Sequence, residues 1–134
     1  ALEIFHPENF QDEKSPMHFY IMENQNGKTL ALCETKEDED EIQVEYIESN
    51  HDSEQKYCGK SMIAALGKKV LNTGAKKLTI NTPLHDVYDF YIRGCGFQKE
   101  SNNIFKLKME PEQIYKLIWD TEAKTGGKIM DINV

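Results

Sequence analysis

Residues 54–97 read EQKYCGKSMIAALGKKVLNTGAKKLTINTPLHDVYDFYIRGCGF. In order, this stretch predicts a short polar loop, a helix that opens on Gly-Lys-Ser, a Gly-Ala turn, a strand, a second helix and a Gly-Phe exit. A loop that leads directly into a helix points free backbone N–H groups and the positive end of the helix dipole at one place. The stretch therefore predicts a binding site for an anion such as a pyrophosphate.

The first helix of this stretch is predicted over Ser61–Asn72, and Gly74 is expected to end it in the left-handed conformation. A short strand follows over Lys77–Thr82, and a second helix over Asp86–Arg93, which Gly94 and Gly96 are expected to break. Apolar residues of the first helix recur at spacings of three and four, which predicts one buried stripe: Met62, Ile63, Leu66 and Val70.

The segments on either side predict strands before this stretch and a strand and a helix after it. The Asn26-Gly27 pair is a hairpin turn signal between two alternating runs. The predicted strands are Leu2–Phe5, His18–Glu23, Lys28–Thr35, Glu41–Glu48 (with Ile42, Val44 and Tyr46 on one face) and Ile104–Met109. A C-terminal helix is predicted over Pro111–Lys124 with Ile114, Leu117, Ile118 and Trp119 facing inward, and Lys128–Val134 is expected to form a last strand or a tail.

Length and composition predict one soluble domain over residues 1–134. No run approaches the roughly 18 apolar residues of a membrane span, so no membrane partner is expected. The three cysteines, Cys33, Cys58 and Cys95, lie far apart and form no CxxC pair. This spacing disfavours a metal site, and we expect reduced thiols in a cytoplasmic protein.

Charge is distributed unevenly along the chain. The net charge is −7, but residues 34–54 alone hold ten acidic residues and one lysine, whereas residues 56–77 hold six lysines and no acid. The basic block suits a phosphate-bearing ligand, and the acidic block suits a cation such as an amine. Nucleic acid is disfavoured as a partner because the sequence has no basic surface studded with aromatic residues.

The order of elements around residues 54–97 resembles the cofactor half of the GNAT superfamily, the acetyl-CoA-dependent N-acyltransferases. The resemblance covers about residues 17–109. It implies an α+β fold with a mixed, mostly antiparallel sheet that is flanked by helices and splayed between its fourth and fifth strands. Here these strands are Glu41–Glu48 and Lys77–Thr82, and the acyl thioester would enter the opening between them. Only residues 6–17 separate the first two strands, so any helix there is short.

The family loop reads Gln or Arg, two residues, Gly, one residue, then Gly or Ala, and two registers fit this chain. In one, the loop starts at Gln55, lacks one residue and ends at Gly59; in the other, Lys56, Gly59 and Ser61 keep the spacing. We favour the first because it gives the helix its usual length before Gly74. The same letters are similar to a nucleoside-triphosphate P-loop, but Glu54 would occupy the place of the first glycine there and would repel phosphate.

The resemblance implies three roles for side chains: a base for the ammonium, donors for the oxyanion and an acid for the departing thiolate. Glu45 is the first candidate for the base, with Glu41, Glu48 and, through water, His51 as alternatives. Tyr91 is the candidate acid, and Tyr88, one turn earlier, is the alternative. The family spacing from this Tyr to the exit Phe is five residues, whereas Tyr91 to Phe97 is six, so a bulge or a longer exit must absorb one residue.

The resemblance also implies the residues that contact acetyl-CoA, with Asn81 or His85 in place of the family's usual asparagine. These residues are Ile47, Glu48, Ser49, Gln55, Lys56, Tyr57, Cys58, Gly59, Lys60, Ser61, Asn81 and His85. A cysteine nucleophile at Cys58 or Cys95 is disfavoured because no His-Cys pairing can be read from the sequence.

The expected activity is therefore acetyl transfer from acetyl-CoA to a cationic primary amine of a small molecule or a protein, by direct attack in a ternary complex. A homodimer is compatible with this reading. The alternative is a degenerate GNAT-like domain that binds CoA or a protein partner without turnover, which the altered loop and the Tyr–Phe spacing favour.

Overall fold

A computed structural model of the chain describes residues 2–5, 17–50, 55–81, 85–100 and 103–132. Within these ranges the chain forms seven strands, three α-helices and one π-helix. The strands are β1 (Glu3–Phe5), β2 (Met17–Glu23), β3 (Thr29–Glu37), β4 (Glu41–Ser49), β5 (Lys77–Asn81), β6 (Gln98–Glu100) and β7 (Asn103–Met109). The helices are α1 (Cys58–Thr73), α2 (His85–Asp89), which continues into the π-helix (Phe90–Cys95), and α3 (Pro111–Thr125).

The strands form one mixed sheet in the order β1-β2-β3-β4-β5-β7-β6. Each neighbouring pair is antiparallel except β4 and β5, which are parallel because α1 connects them. The β4–β5 pairing covers only Glu41–Val44 against Lys77–Ile80, and beyond Val44 β4 continues to Ser49 paired with β3 only. The predicted α+β fold with a sheet splayed between its fourth and fifth strands is therefore confirmed.

A β-bulge in β4 changes which residues share a face. Val44 pairs with Thr35 and Tyr46 pairs with Glu34, so Glu45 is an extra residue on β4. Ile42 and Val44 are buried as predicted, but Tyr46 is 49% exposed, and its predicted place on their face was wrong. The bulge interrupts the two-residue alternation, which the sequence pattern could not reveal.

The hydrophobic core lies between the sheet and the helices α1 and α3. Met62, Ile63, Leu66 and Val70 are fully buried, which confirms the predicted stripe of α1. Gly74 ends α1 with a φ of 78°, and its N–H donates to the carbonyl of Val70, as predicted. Gly67 faces Ile114 so closely that an added Cβ would lie 2.8 Å from Ile114 Cγ2, and this contact sets the distance between α1 and α3.

The C-terminal region differs from its prediction at Trp119 and follows the tail alternative after Gly127. Ile114 and Leu117 are buried, and Ile118 packs on the core, but Trp119 is 76% exposed and does not face inward. Residues 128–132 form no strand; they run beside α1, where Lys68 Nζ donates to the carbonyl of Ile129 at 2.8 Å.

Two further differences concern residues 94–100. Gly94 lies inside the π-helix and does not break it, whereas Gly96 ends it with a φ of 97°. The sequence pattern missed β6, which is only three residues long. Residues 6–16, where any helix was expected to be short, lie outside the described ranges. No helix in the described part of the chain is long and apolar enough to cross a membrane.

Candidate functional site

The loop before α1 enters the helix through a left-handed residue. Tyr57 is the N-cap, with a φ of 63°, and its carbonyl accepts the first helical hydrogen bond, from Ser61 N–H at 2.8 Å. Among the described residues, Tyr57 is the one non-glycine with positive φ. With Gly59 as the last glycine of the loop, Tyr57 stands where the family pattern has its first glycine, the residue that adopts this conformation without strain.

The start of α1 carries positive potential. Its first backbone N–H groups have no acceptor within the helix, no side-chain capping bond forms at Tyr57 among the described residues, and its first turn contains no acidic residue. Gly59 has no side chain to cover the backbone there, although an added Cβ would make ordinary contacts, 3.6 Å from Phe90 Cζ and 3.9 Å from Ser49 Oγ. A ligand anion can therefore approach this turn of backbone closely.

A cavity of about 770 Å³ lies between the start of α1, the π-helix and the part of β4 that extends beyond its pairing with β5. It brings together ten of the predicted site residues: Ile47, Glu48, Ser49, Gln55, Lys56, Tyr57, Cys58, Gly59, Lys60 and Tyr91. Five lining residues were not predicted: Asn50, Val87, Phe90, Gly94 and Lys124. Phe90 could have been inferred from its place beside Tyr91, but no sequence signal links Lys124, in the C-terminal helix, to residues 55–60.

Three of the remaining predicted residues, Glu45, Ser61 and Asn81, do not line this cavity. Ser61 lines an adjoining cavity of about 610 Å³ on the other side of the loop. Asn81 is exposed at the end of β5, and His85 begins α2. The Glu45 carboxylate accepts a hydrogen bond from Gln43 at 2.6 Å and lies 3.7 Å from Lys36 Nζ. The roles assigned to these four residues stay predictions.

Tyr91 is a buried residue among those that line the cavity. It is 6% exposed and packs edge-on against Phe90 and Phe97, with ring centroids 5.3 and 5.9 Å apart. Burial raises the pKa of the Tyr91 hydroxyl to about 12, so it stays protonated at neutral pH. Tyr88 does not line the cavity, and its buried hydroxyl has no hydrogen-bond partner among the described residues.

The π-helix accounts for the six-residue Tyr–Phe spacing. Gly96 N–H donates to the Tyr91 carbonyl at 3.1 Å, and Phe97 N–H donates to the same carbonyl at 3.0 Å. A π-turn holds one residue more than an α-turn, so it absorbs an added residue without moving the flanking positions. The predicted bulge is therefore present, and Tyr91 and Phe97 remain in contact.

Lys60 and Asp120 join the start of α1 to α3. Lys60 is 4% exposed, and its ammonium donates to the Asp120 carboxylate, whose pKa it lowers. Lys124 Nζ lies 3.4 Å from the same carboxylate. A buried ammonium at the positive end of a helix needs such a counter-ion.

All three cysteines are unpaired and buried. Burial raises the pKa of Cys58 and of Cys95, the latter to about 12, which makes both poor nucleophiles. No group of three or more His, Cys, Asp and Glu side chains suited to a metal occurs among the described residues.

No protein-family profile matches the chain, and no curated protein matches its sequence. Solved structures do match. A GNAT family acetyltransferase from Elizabethkingia anophelis with acetyl-CoA bound has a TM-score of 0.61 at 15% identity, over 81% of this chain and 97% of that chain. An IAA acetyltransferase from Bacillus cereus has a TM-score of 0.62 at 16% identity, over 82% and 99%.

A third structure, the KacTA–DNA complex, has a TM-score of 0.62 at 14% identity, over 84% of this chain and 77% of that chain. At these identities the likeness shows the fold: this chain has the GNAT fold, whose members with solved structures include acetyltransferases. Because one neighbour is in a complex with DNA, the expectation that this chain has no nucleic-acid partner stays a prediction.

Proposed function

We propose that the protein is an N-acetyltransferase that transfers the acetyl group of acetyl-CoA to a primary amine of a small molecule or a protein by direct attack. The observation that carries this proposal is one cavity that is lined by the start of α1, by the part of β4 beyond its pairing with β5, and by Tyr91. The solved neighbour with bound acetyl-CoA supports the same cofactor.

The cofactor's pyrophosphate would lie at residues 57–61, on the free N–H groups at the start of α1. From there the thioester would reach the opening beyond Val44 and Ile80, where β4 and β5 are no longer paired. The free backbone groups at the end of β4, next to Ile47 and Ser49, are available to the extended part of the cofactor.

Tyr91 would assist the departing thiolate. Its pKa of about 12 lies above the roughly 8.5 of a thiol, so full proton transfer ahead of bond cleavage is unfavourable. We therefore assign it a hydrogen bond to the thiolate as the tetrahedral state collapses, with the final proton coming from solvent. Tyr88 is less suited, because it does not line the cavity.

Two glutamates compete for the role of base. Glu45, the first candidate from the sequence, is held by Gln43 and Lys36 on β4 and β3 and would act only through water. Glu48 lines the cavity and accepts a hydrogen bond from the Tyr46 hydroxyl at 2.6 Å. Its position favours Glu48, and the rates of Glu45→Gln and Glu48→Gln in the assay below identify the base.

The acceptor would be a cation, although the acidic segment 34–54 attracts it less than its charge suggests. Four of its acids pair with lysines from elsewhere or from the segment itself: Glu37 with Lys69, Asp40 with Lys76, Glu41 with Lys106 and Glu45 with Lys36. Rates that rise as salt is lowered, across a panel of amines, would support electrostatic attraction; rates independent of salt would contradict it.

The test of the proposal is amine-dependent release of CoA by the purified protein, followed with a thiol reagent. We expect Tyr91→Phe to lower turnover by about 10²-fold, the lower end of general acid–base contributions, while CoA affinity changes little. Tyr88→Phe is the matched control, one turn earlier on the same helix, and should keep its rate. Full activity in Tyr91→Phe with loss in Tyr88→Phe would transfer the role to Tyr88.

One observation favours the alternative of a binding domain without turnover. Tyr57 places a side chain in the cavity where the family pattern has a glycine, and this reduces the space for the phosphates. CoA binding without CoA release for any amine would support this alternative.

A further inference from the structure

We propose that Lys124, in the last turn of α3, binds a phosphate group of the CoA cofactor, and that the Lys60–Asp120 pair fixes this lysine at the site. The proposal rests on the proposed function, because it names CoA as the ligand. It adds a contact from a helix that lies outside residues 17–109, the part of the chain that resembles the GNAT cofactor half.

The packing of α3 carries Lys124 to the anion site. Gly67 of α1 contacts Ile114 near the start of α3, and Lys60 near the start of α1 contacts Asp120 near the end of α3, so the two helices are antiparallel. The final turn of α3 therefore lies beside the first turn of α1. Lys124 is the basic residue of that final turn, and it lines the cavity together with Tyr57 and Gly59.

Lys60 is close to the same place, but its charge is already committed. Its side chain is 5% exposed and its ammonium donates to Asp120, so the Lys60 ammonium is poorly accessible to a phosphate in the cavity. Lys124 is 47% exposed and lies 3.4 Å from the same carboxylate, one helical turn away. Asp120 thus neutralises Lys60 and positions Lys124, whose ammonium remains accessible to a ligand.

The loop explains why an additional cation is useful here. Tyr57 stands where the family pattern has a glycine, and its side chain lines the cavity, so backbone approach at that residue is restricted. A long lysine side chain from outside the loop can contact a phosphate that sits further from the backbone. Lys124 also lines the adjoining cavity, which places it directly beside the loop.

The test compares the binding of CoA, dephospho-CoA and inorganic pyrophosphate to four proteins by calorimetry at low salt. We expect Lys124→Gln to weaken CoA binding about 5-fold, the size of one partly exposed charge contact, and Lys124→Arg to restore it. The matched control is Lys116→Gln, on the same helix, which is 75% exposed, pairs with Glu112 and lines neither cavity. The loss should shrink at high salt.

Each outcome is decisive. A loss for CoA but not for dephospho-CoA places Lys124 at the 3′-phosphate, and an equal loss for both places it at the pyrophosphate. Equal CoA affinity in Lys124→Gln, Lys116→Gln and the parent overturns the proposal. Lysine-dependent binding of CoA without acetyl transfer would leave this proposal standing and reject the enzymatic one, whereas a parent that binds neither CoA nor pyrophosphate rejects both.

Discussion

At the scale of single residues, Gly59 lies where the loop enters α1 and lines the cavity proposed to hold the cofactor. Its φ is not in the left-handed region, so a side chain there causes no backbone strain. What an added side chain changes is the space between the first turn of α1, Ser49 and the Phe90 ring. Small and large substitutions at this position therefore separate folding from ligand binding.

We expect Gly59→Ala to bind CoA nearly as well as the parent, since its Cβ would make ordinary contacts at 3.6 and 3.9 Å. Gly59→Gln should fold equally well but weaken CoA binding by at least 10-fold, or about 1.4 kcal/mol, because its side chain occupies the cavity. Calorimetric titration with CoA and thermal unfolding of both variants check this. Equal affinity in Gly59→Gln and the parent would show that the phosphates lie elsewhere.

The backbone conformation of Tyr57 could not be predicted from its residue type. Its identity suggests an ordinary loop aromatic, and only its φ of 63° shows that it takes a conformation typical of glycine. A non-glycine residue in this region costs on the order of 1 kcal/mol, which the surrounding packing must offset.

At the scale of elements, the agreement between sequence and structure is best judged at the ends and interruptions of the helices. The boundaries of α1 and α3 were predicted to within three residues because Gly74 and Pro111 mark them in the sequence. For the π-helix, the sequence predicted only that one extra residue must be accommodated between Tyr91 and Phe97. The backbone geometry that accommodates such an insertion cannot be read from the residue spacing.

The end of α3 provides a matched pair of glycines. Gly126 is the C-cap with a φ of 74°, and its N–H donates to the Glu122 carbonyl at 2.9 Å; Gly127 follows without positive φ. Neither has an atom within 4 Å of an added Cβ. We expect Gly126→Ala to lower the free energy of unfolding by about 1 kcal/mol through backbone strain alone.

Gly127→Ala should leave stability unchanged or raise it by a few tenths of a kcal/mol, because alanine restricts the unfolded chain without straining the folded one. Urea unfolding of the two variants measures the difference. Similar effects of both substitutions would mean that the conformation of Gly126 is not what ends α3.

At the scale of the whole molecule, a polar cluster ties the sheet to α1 far from the cavity. The Glu37 carboxylate accepts hydrogen bonds from Tyr20, from Thr35 at 2.6 Å and from Lys69 at 2.8 Å. Burial alone would raise the pKa of Glu37, but the hydrogen bonds from Lys69, Thr35 and Tyr20 outweigh it, and the net shift is downward. Burial raises the pKa of Tyr20, which keeps its hydroxyl protonated as a donor.

This cluster predicts the sign of one pH dependence. Because the folded-state pKa of Glu37 is depressed, its contribution is complete above the unfolded value of about 4.3 and is lost as the pH falls through the folded value. We expect Glu37→Gln to be about 1–3 kcal/mol less stable than the parent at pH 7, with the difference vanishing at low pH.

Urea unfolding between pH 2 and pH 7 tests this expectation. Glu39→Gln, an exposed residue in the turn between β3 and β4, is the control and should follow the parent throughout. A difference between Glu37→Gln and the parent that persists unchanged at pH 2 would show that ionisation of Glu37 does not contribute.

Local patterns in the sequence by themselves determined the order of the elements apart from β6, the buried stripe of α1, the end of α1 at Gly74 and the loop that opens α1. These features depend on residues that are close in sequence, within about one or two helical turns, so hydrophobic periodicity and the positions of glycines predict them. Tertiary structure alone decided that Glu45 is a bulged residue, that Trp119 is exposed and that Lys124 lines the same cavity as residues 57–60. These depend on strand register and on how α3 packs against α1, which arise from contacts between residues as far apart as Lys60 and Asp120.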